Sequence, residues 1–360
     1  MKIAIDVSPV VYGTGVSVYI KNLVPELLAL DRRNEYILFG GSLRRMAEIG
    51  DFVAGVKGEK VTSRVVPIAP TVANLLWNQF HVLPIEVFTG KQDVFHSSDW
   101  SQPPSKAFKV STIHDLVPLM YPGSSHPRII SAHRARISWV RREVDRIIVP
   151  SKQTARDCEL LGISQAKIRV IPEGISENFK RAQKREILKF KKTYGLEKGY
   201  VLMVGTSRRK NIDGGVLGFE KFKTGEMKLV IVGEKPKDFP KSGDVIFTGF
   251  VSDDLLPTIY SGAEALLYPS FYEGFGLPVL EAFACQTPVV ASNLASLREV
   301  GGNACIYVDP FKPESIARGL ELISQRKKRL ISLGKKRLAR FSWAENAAKT
   351  LSVYEEAGQK

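Results

Sequence analysis

Short, almost unbroken apolar runs recur along this chain, each stopped by a loop rich in glycine or proline and followed by a helical pattern. That alternation restricts the chain to the α/β class, with parallel strands and helical crossovers. The clearest unit is YPSFYEGFGLPVLEAFACQTPVV, Tyr268 to Val290. The run Ala265–Tyr268 is closed by Pro269, and a loop with two glycines extends from Ser270 to Gly276. A helical pattern begins near Leu277, with Pro278 suited to its first turn, and Pro288–Ala291 reads as the next strand. Free N–H groups at a helix start attract anions, and glycines let a phosphate or sugar approach the backbone. Glu273 lies in the loop and Glu281 on the second helical turn. At about 1.5 Å per helical residue, the two carboxylates can hold hydroxyls at separate points of one extended ligand. Simple turn chemistry and a solvated helical Glu fit the same residues. On these residues alone a phosphate or polyol site and plain packing both stay open.

The same grammar runs through the rest of the chain. Lys2–Val7 reads as a buried parallel strand, followed by Tyr12-Gly13-Thr14-Gly15 and a helical pattern from Ser17 to Leu30. Val18 stands where a dinucleotide fingerprint needs its third glycine, so that motif is unsupported. His114 and Asp115 follow the strand Lys109–Ile113, at the strand end where open α/β sheets bind ligands. Asp115 can orient His114 or cap the following turn. A second domain starts at the strand Tyr200–Val204, whose exit loop carries Arg208, Arg209 and Lys210 at a helix entrance, suited to a phosphate. Asp253 and Asp254 read as capping carboxylates at the start of a helix, not as metal ligands. The segments 314–322 and 326–338 read as two amphipathic helices. Between Val72 and Phe88, Trp77, Phe80 and Leu83 recur at about helical spacing. This fits core packing or an acceptor-side or membrane-surface helix, although the stretch lacks a basic face of its own. The arginines between Ser124 and Arg146 make either a solvated face or a surface for anionic lipid or a lipid-diphosphate acceptor.

With 360 residues, 44% of them hydrophobic, the chain can bury a core in each of two domains. Three cysteines without paired spacing suit a reducing compartment. The start MKIAIDVSP is a strand pattern and not a signal peptide, and no apolar run reaches the length of a membrane span. The expectation is therefore a cytoplasmic protein, with a peripheral place on the inner face of the membrane as an option. A net charge of +15 favours anionic partners. The basic runs are not interleaved with aromatics as base stacking needs, so no nucleic-acid partner is expected.

Glu273-Gly-Phe-Gly-Leu-Pro-Val-Leu-Glu281 resembles the Glu-x7-Glu motif of retaining nucleotide-sugar glycosyltransferases of family four, which have the two-domain GT-B fold. Pro269-Ser270 and the run Ala284–Val290 are similar to that family too, with Gln286 where it usually has Gly. The resemblance covers nearly the whole chain and is strongest in the second half. It implies two doubly wound Rossmann-like domains facing across a cleft. The first would span 1–175, with the C-terminal helix 341–360 crossing back onto it, and the nucleotide-sugar domain 176–340. By resemblance, Glu273 contacts the donor sugar and Glu281 the ribose hydroxyls. Gly274, Phe275, Gly276 and Leu277 lie against the sugar and diphosphate, and Phe250 and Val251 reach the base. Arg209 and Lys210, with Arg208 as the alternative arginine, meet the diphosphate. Gly13 and Gly15 close over the acceptor beside the donor phosphates, and His114 touches donor sugar or phosphate. The implied reaction moves a hexose, with a lean toward mannose, from a GDP- or UDP-sugar to a hydroxyl of a glycan or lipid-linked acceptor in cell-surface polysaccharide synthesis. No metal or other cofactor is expected, and an anionic membrane surface is a candidate partner. The rivals are a GT-B epimerase or phosphorylase, a basic binding protein for membrane or nucleic acid, and a donor-binding chain that has lost catalysis.

Overall fold

Continuous apolar runs need cover on both faces, and the chain provides it with two separate parallel sheets. The computed structural model describes residues 1–56, 58–223, 225–240 and 242–359. They form two units, Met1–Gly174 with Ser342–Lys360, and Ile175–Phe341.

The first unit holds β1 (Lys2–Asp6), β2 (Glu35–Gly41), β3 (Val61–Val66), β4 (Val94–Ser97), β5 (Phe108–Thr112), β6 (Arg146–Val149) and β7 (Ile168–Val170). They pair in the order β3-β2-β1-β4-β5-β6-β7, parallel throughout. The second holds β8 (Tyr200–Val204), β9 (Lys228–Val232), β10 (Val245–Phe247), β11 (Ala265–Tyr268), β12 (Val289–Ser292) and β13 (Cys305–Val308), in the order β10-β9-β8-β11-β12-β13. Both orders reverse direction beside their first strand, which is the doubly wound Rossmann pattern. At that reversal the exit loops of β1 and β4, and of β8 and β11, are neighbours. Ligand-binding residues in this fold gather at that point.

Three sequence expectations are corrected. The stretch 72–88 is not one helix. It is a helical turn Pro70–Ala73, a π-helical stretch Asn74–Gln79, a break, and a short helix Glu86–Thr89. The π geometry is closed by Phe80 N–H donating to Leu75 O. The two helices expected over 314–338 are one, Pro313–Leu338, because nothing between them breaks the apolar face that carries Ile316, Leu320, Ile323 and Leu330. Asp253 and Asp254 do not cap a helix. The helix there begins at Leu256 behind Leu255 with no side-chain cap, and Pro257 in its first turn sets the start.

The C-terminal helix Trp343–Glu355 packs within the first unit. Asn346 Nδ2 donates to Pro172 O at 2.8 Å, and His96 Nδ1 meets Tyr354 Oη at 2.6 Å. Glu356 pairs with Arg169 at 2.9 Å and also with Arg146. Gly174 makes this return possible, since a Cβ there would stand 2.3 Å from Trp343 N. Gly174→Ala must push Trp343 away from its edge contact with Tyr19. We expect a loss of about 1–3 kcal/mol, read as a lower midpoint in denaturant unfolding. An unchanged midpoint would refute this account of the chain's return.

Candidate functional site

The second unit's site is assembled from two exit loops. β8 runs into Gly205, whose φ of +87° turns the chain into the loop carrying Arg208, Arg209 and Lys210. Asn211 ends that loop in a left-handed conformation (φ +54°) and caps the helix Ile212–Phe222 by accepting from Gly214 N–H. Its Nδ2 also donates to Pro269 O at 3.1 Å and Pro310 O at 2.7 Å. One asparagine thus joins the exits of β8, β11 and β13. Phe271 N–H donates to Arg209 O at 2.8 Å and draws the two loops into contact.

Glu273 sits where they meet and is 6% exposed. Its carboxylate is gripped by Lys210 Nζ at 2.7 Å and by Arg209 Nη1. Lys210 Nζ also donates to Tyr268 Oη at 2.6 Å and lies 4.5 Å from that ring's centroid. Ser296 Oγ donates to the carbonyl of Glu273 at 2.7 Å, fixing the backbone. Burial alone would push the Glu273 carboxyl up, but Lys210 and Arg209 outweigh it and hold it down at about 2. Tyr268 is raised well above the usual phenol value, first by burial and then by the Glu273 charge, so it stays a neutral donor and acceptor.

Gly276 stands before the helix Leu277–Ala284 with φ +116°, and a Cβ there would lie 2.6 Å from Leu297 Cδ2. Only glycine fits that position. Glu281, on that helix, accepts from Tyr260 Oη at 2.5 Å. Burial pushes its carboxyl up to about 7, partly countered by the Tyr260 hydrogen bond and the charge of Lys210. The two carboxylates are therefore tuned in opposite directions. Glu273 is fixed as an anion, while Glu281 is close to neutral pH and ready to change state with its surroundings.

The remaining residues separate. Arg208 is exposed, whereas Arg209 turns inward, so Arg209 is the arginine beside Glu273. Phe275 buries its ring edge-on to Phe341 at 5.9 Å, so the ring packs in the core and does not face a ligand. Phe250 is 85% exposed, and Val251 packs at the margin of the core. In the first unit Gly13 (φ +66°) lies on an exposed loop and Gly15 opens the helix Gly15–Leu30, both with open space where a Cβ would go. His114 Nδ1 is paired with Glu173 at 2.8 Å. Burial would depress His114, but Glu173, Asp99 and Asp115 hold it above the ordinary imidazole value. Asp115 caps the turn by accepting from Val117 N–H at 3.0 Å, so Glu173 is the residue that orients His114. Sequence reasoning missed Glu173, Tyr260 and Tyr268. A carboxylate among the apolar residues of IPEGI was the available signal for Glu173. The tyrosines lay inside apolar runs and gave none. Among the described residues no group of three His, Cys, Asp or Glu side chains could hold a metal ion.

Comparison with known proteins identifies the family and the fold. Residues 13–179 match Glycosyltransferase Family 4 and residues 184–339 match glycosyl transferases group 1. The O-antigen chain mannosyltransferase B of Escherichia coli is 26% identical, over 98% of this chain and 99% of its own. The O-antigen chain mannosyltransferase RfbU of Salmonella typhimurium is 27% identical, over 59% of this chain and 60% of its own. Anabaena Alr3699/HepE, crystallised with UDP and glucose, superposes with a TM-score of 0.69 at 14% identity, covering 99% of this chain and 100% of that one. The chain belongs to glycosyltransferase family 4 and has its GT-B fold.

The ion-pair cluster sets a pH dependence. Glu273 has a folded value of about 2 against an ordinary value of 4.5. Its stabilisation is present above pH 4.5 and is lost as pH falls toward 2. Glu273→Gln should cost about 3–5 kcal/mol near neutral pH by removing the carboxylate charge that Lys210 and Arg209 grip. It should also flatten the decline of stability below pH 4.5, measured by urea unfolding across pH. A variant as stable as wild type would show that the cluster does not hold these loops.

Proposed function

We propose that this glycosyltransferase transfers a hexose, mannose in our reading, from a nucleotide diphosphate sugar to a hydroxyl of a glycan or lipid-linked acceptor, with retention at the anomeric carbon. The observation that carries this reading is the cluster of Arg209, Lys210 and Glu273 beside the glycine-led helix start at Gly276. Two cations beside a glycine-led helix start suit a diphosphate whose charge grows as its bond to the sugar breaks. The mannosyltransferase names of the two bacterial relatives support the sugar and a role in polysaccharide synthesis.

In the proposed step the anomeric C–O bond to the β-phosphate breaks and the acceptor oxygen bonds to the same face of the carbon. The acceptor's proton passes to the departing phosphate oxygen, and the nucleoside diphosphate leaves. Arg209 and Lys210 stabilise the leaving charge. Glu273, held anionic, accepts from donor sugar hydroxyls and positions the ring, while Glu281 accepts from ribose hydroxyls. His114 keeps the role implied by resemblance, a contact to donor sugar or phosphate.

Thermal unfolding of the purified protein with GDP, UDP, ADP and their common sugars tests donor binding. A selective rise with one nucleotide, lost in Glu281→Ala, is expected and names the base. No rise with any of them refutes the proposal. Glu273→Ala and Lys210→Ala should each lower turnover by about 10²–10³-fold. Near-normal turnover in both would rule the mechanism out.

Glu281 adds a pH signature. Its folded value, about 7, lies above its ordinary 4.5. The stability tied to its neutral form is present below pH 4.5 and is lost as pH rises through 7. Ribose hydroxyls that donate to the carboxylate favour the anion. Donor affinity should rise with pH through 7, with proton release on binding measured by calorimetry in buffers of different ionisation heat. Glu281→Gln should abolish both effects, and a flat wild-type profile would remove Glu281 from the binding role.

A further inference from the structure

Trp100 stands apart from its neighbours in the first unit. Ser98, Asp99, Ser101 and Gln102 are all buried, whereas Trp100 between them is 39% exposed. A side chain with this much apolar surface is normally taken into a core or set against a partner. Its loop is the exit of β4, beside the exit of β1, where the order of the first sheet reverses and this fold gathers ligand-binding residues. The loop is fastened from within. Ser98 Oγ donates to Asp6 Oδ2 at 2.6 Å, and Ser98 O accepts from Arg136 Nη2 at 3.1 Å. Asp99 pairs with Arg136 at 2.9 Å. Trp100 O accepts from Asn78 Nδ2 at 2.9 Å, and Gln102 N–H donates to Asn78 Oδ1 at 3.0 Å. A fixed frame therefore holds the indole outward, and little freedom is lost when a ligand meets it.

Two rings flank the indole, and neither lies flat on it. Tyr12, from the β1 exit, meets it edge-on at 5.8 Å, and His133, from the helix Pro127–Glu143, meets it edge-on at 5.4 Å. Both neighbours are neutral. Burial and then the charge of Asp6 push the Tyr12 phenol up to about 12, while burial and then the charge of Arg136 push the His133 imidazole down to about 4. The cations whose charge reaches this corner, Arg136, His114 and Arg45, already hold the carboxylates of Asp99, Glu173 and Glu48. A chain of net charge +15 thus presents here an aromatic surface rimmed by neutral hydrogen-bonding groups. Such a corner serves a phosphate poorly, since the cations are spent on carboxylates. It suits a sugar ring, whose C–H bonds on one face meet the negative face of the indole while its hydroxyls meet the phenol of Tyr12.

We propose that Trp100, flanked by Tyr12 and His133, is the platform on which a neutral pyranose ring of the acceptor glycan stacks. This makes the acceptor a glycan recognised through a sugar ring, and it rests on the transfer proposed above. The test is saturation-transfer NMR of the full chain with methyl α-mannopyranoside, methyl N-acetyl-β-glucosaminide and α-linked mannobiose, and with mannose-1-phosphate as the charged probe. Thermal shifts with GDP and UDP are read on the same preparations. With at least one neutral saccharide, the wild type should saturate the C–H protons of one ring face. Trp100→Ala should weaken that binding about tenfold, and Trp100→Phe, which keeps a ring, by less than about threefold. Thermal midpoints without ligand check that each variant is folded, and both variants should keep the nucleotide shift. No response to any neutral saccharide, or a response that Trp100→Ala leaves unchanged, would overturn the platform. So would a Trp100-dependent response to mannose-1-phosphate that is tighter than to the neutral sugars, which would assign the corner to a charged headgroup. Saccharide binding that is lost in Trp100→Ala, with no nucleotide shift in the wild type, would support the platform and refute the nucleotide-sugar reading instead.

Discussion

The ion-pair cluster at Glu273 is the constraint on which the second unit's site depends. A carboxylate taken out of water costs several kcal/mol unless its charge is met. Here one face is met by Lys210 and the other by Arg209, both from the exit of β8, while Glu273 belongs to the exit of β11. Two loops far apart in sequence are therefore held in register by electrostatics, and Asn211 adds neutral hydrogen bonds to the same join. The arrangement also orders the cations. A lysine on a flexible stem loses much of its freedom when it is fixed by Glu273 and Tyr268 together. Positioning before the ligand arrives is what allows charge stabilisation without reorganisation.

The first unit uses the same device in reverse. There a carboxylate, Glu173, holds a potential cation, His114, at the exit of β5. A fully buried pair, Arg136 Nη1 and Asp99 at 2.9 Å, braces the neighbouring loop, and Arg136 also donates to Ser98 O, Ser111 Oγ and Thr112 O. A guanidinium can be buried at this depth because its donors are shared among several oxygens in a fixed plane. Both sheets thus end in networks of paired charges, and in the second unit two cations share one carboxylate. The large positive balance of the chain lies elsewhere, on exposed helix faces.

The α/β class was legible because parallel strands buried on both faces leave continuous apolar runs, as in Tyr200–Val204 and Ala265–Tyr268. The start of the helix at Leu277 was legible because Gly276 and Pro278 are local signals. What failed was set by tertiary packing. The π-helical stretch at Asn74–Gln79 lets Trp77 reach Phe39 and Phe88, and no period of 3.6 could announce it. The start at Leu256 was misplaced because acidic residues before a helix look like caps whether or not they reach its N–H groups. In the site, Glu273, Glu281 and the basic loop were readable as residue types at a spacing. Their partners Tyr260, Tyr268 and Glu173 were not, since a buried tyrosine in an apolar run looks the same whether or not its hydroxyl does work. Nor could sequence choose between Arg208 and Arg209, which adjacent positions on a tight turn point in different directions.

Gln286 shows how a departure from the family pattern can leave a site intact. It occupies the left-handed position at the end of the Leu277–Ala284 helix, with φ +60°. A side chain there costs about 1–2 kcal/mol relative to glycine, but the geometry of the helix end is kept. Thr287 N–H donates to Ala282 O at 2.8 Å, and Gln286 N–H to Phe283 O, so the last carbonyls are satisfied as they would be with glycine. Thr287 Oγ1 then donates to Tyr260 O at 2.6 Å. Tyr260 in turn holds Glu281. The turn that carries the unusual residue is thus tied through two hydrogen bonds to the carboxylate on the helix above it. The cost of Gln286 falls on backbone strain, while the position of Glu281 is secured by the threonine beside it.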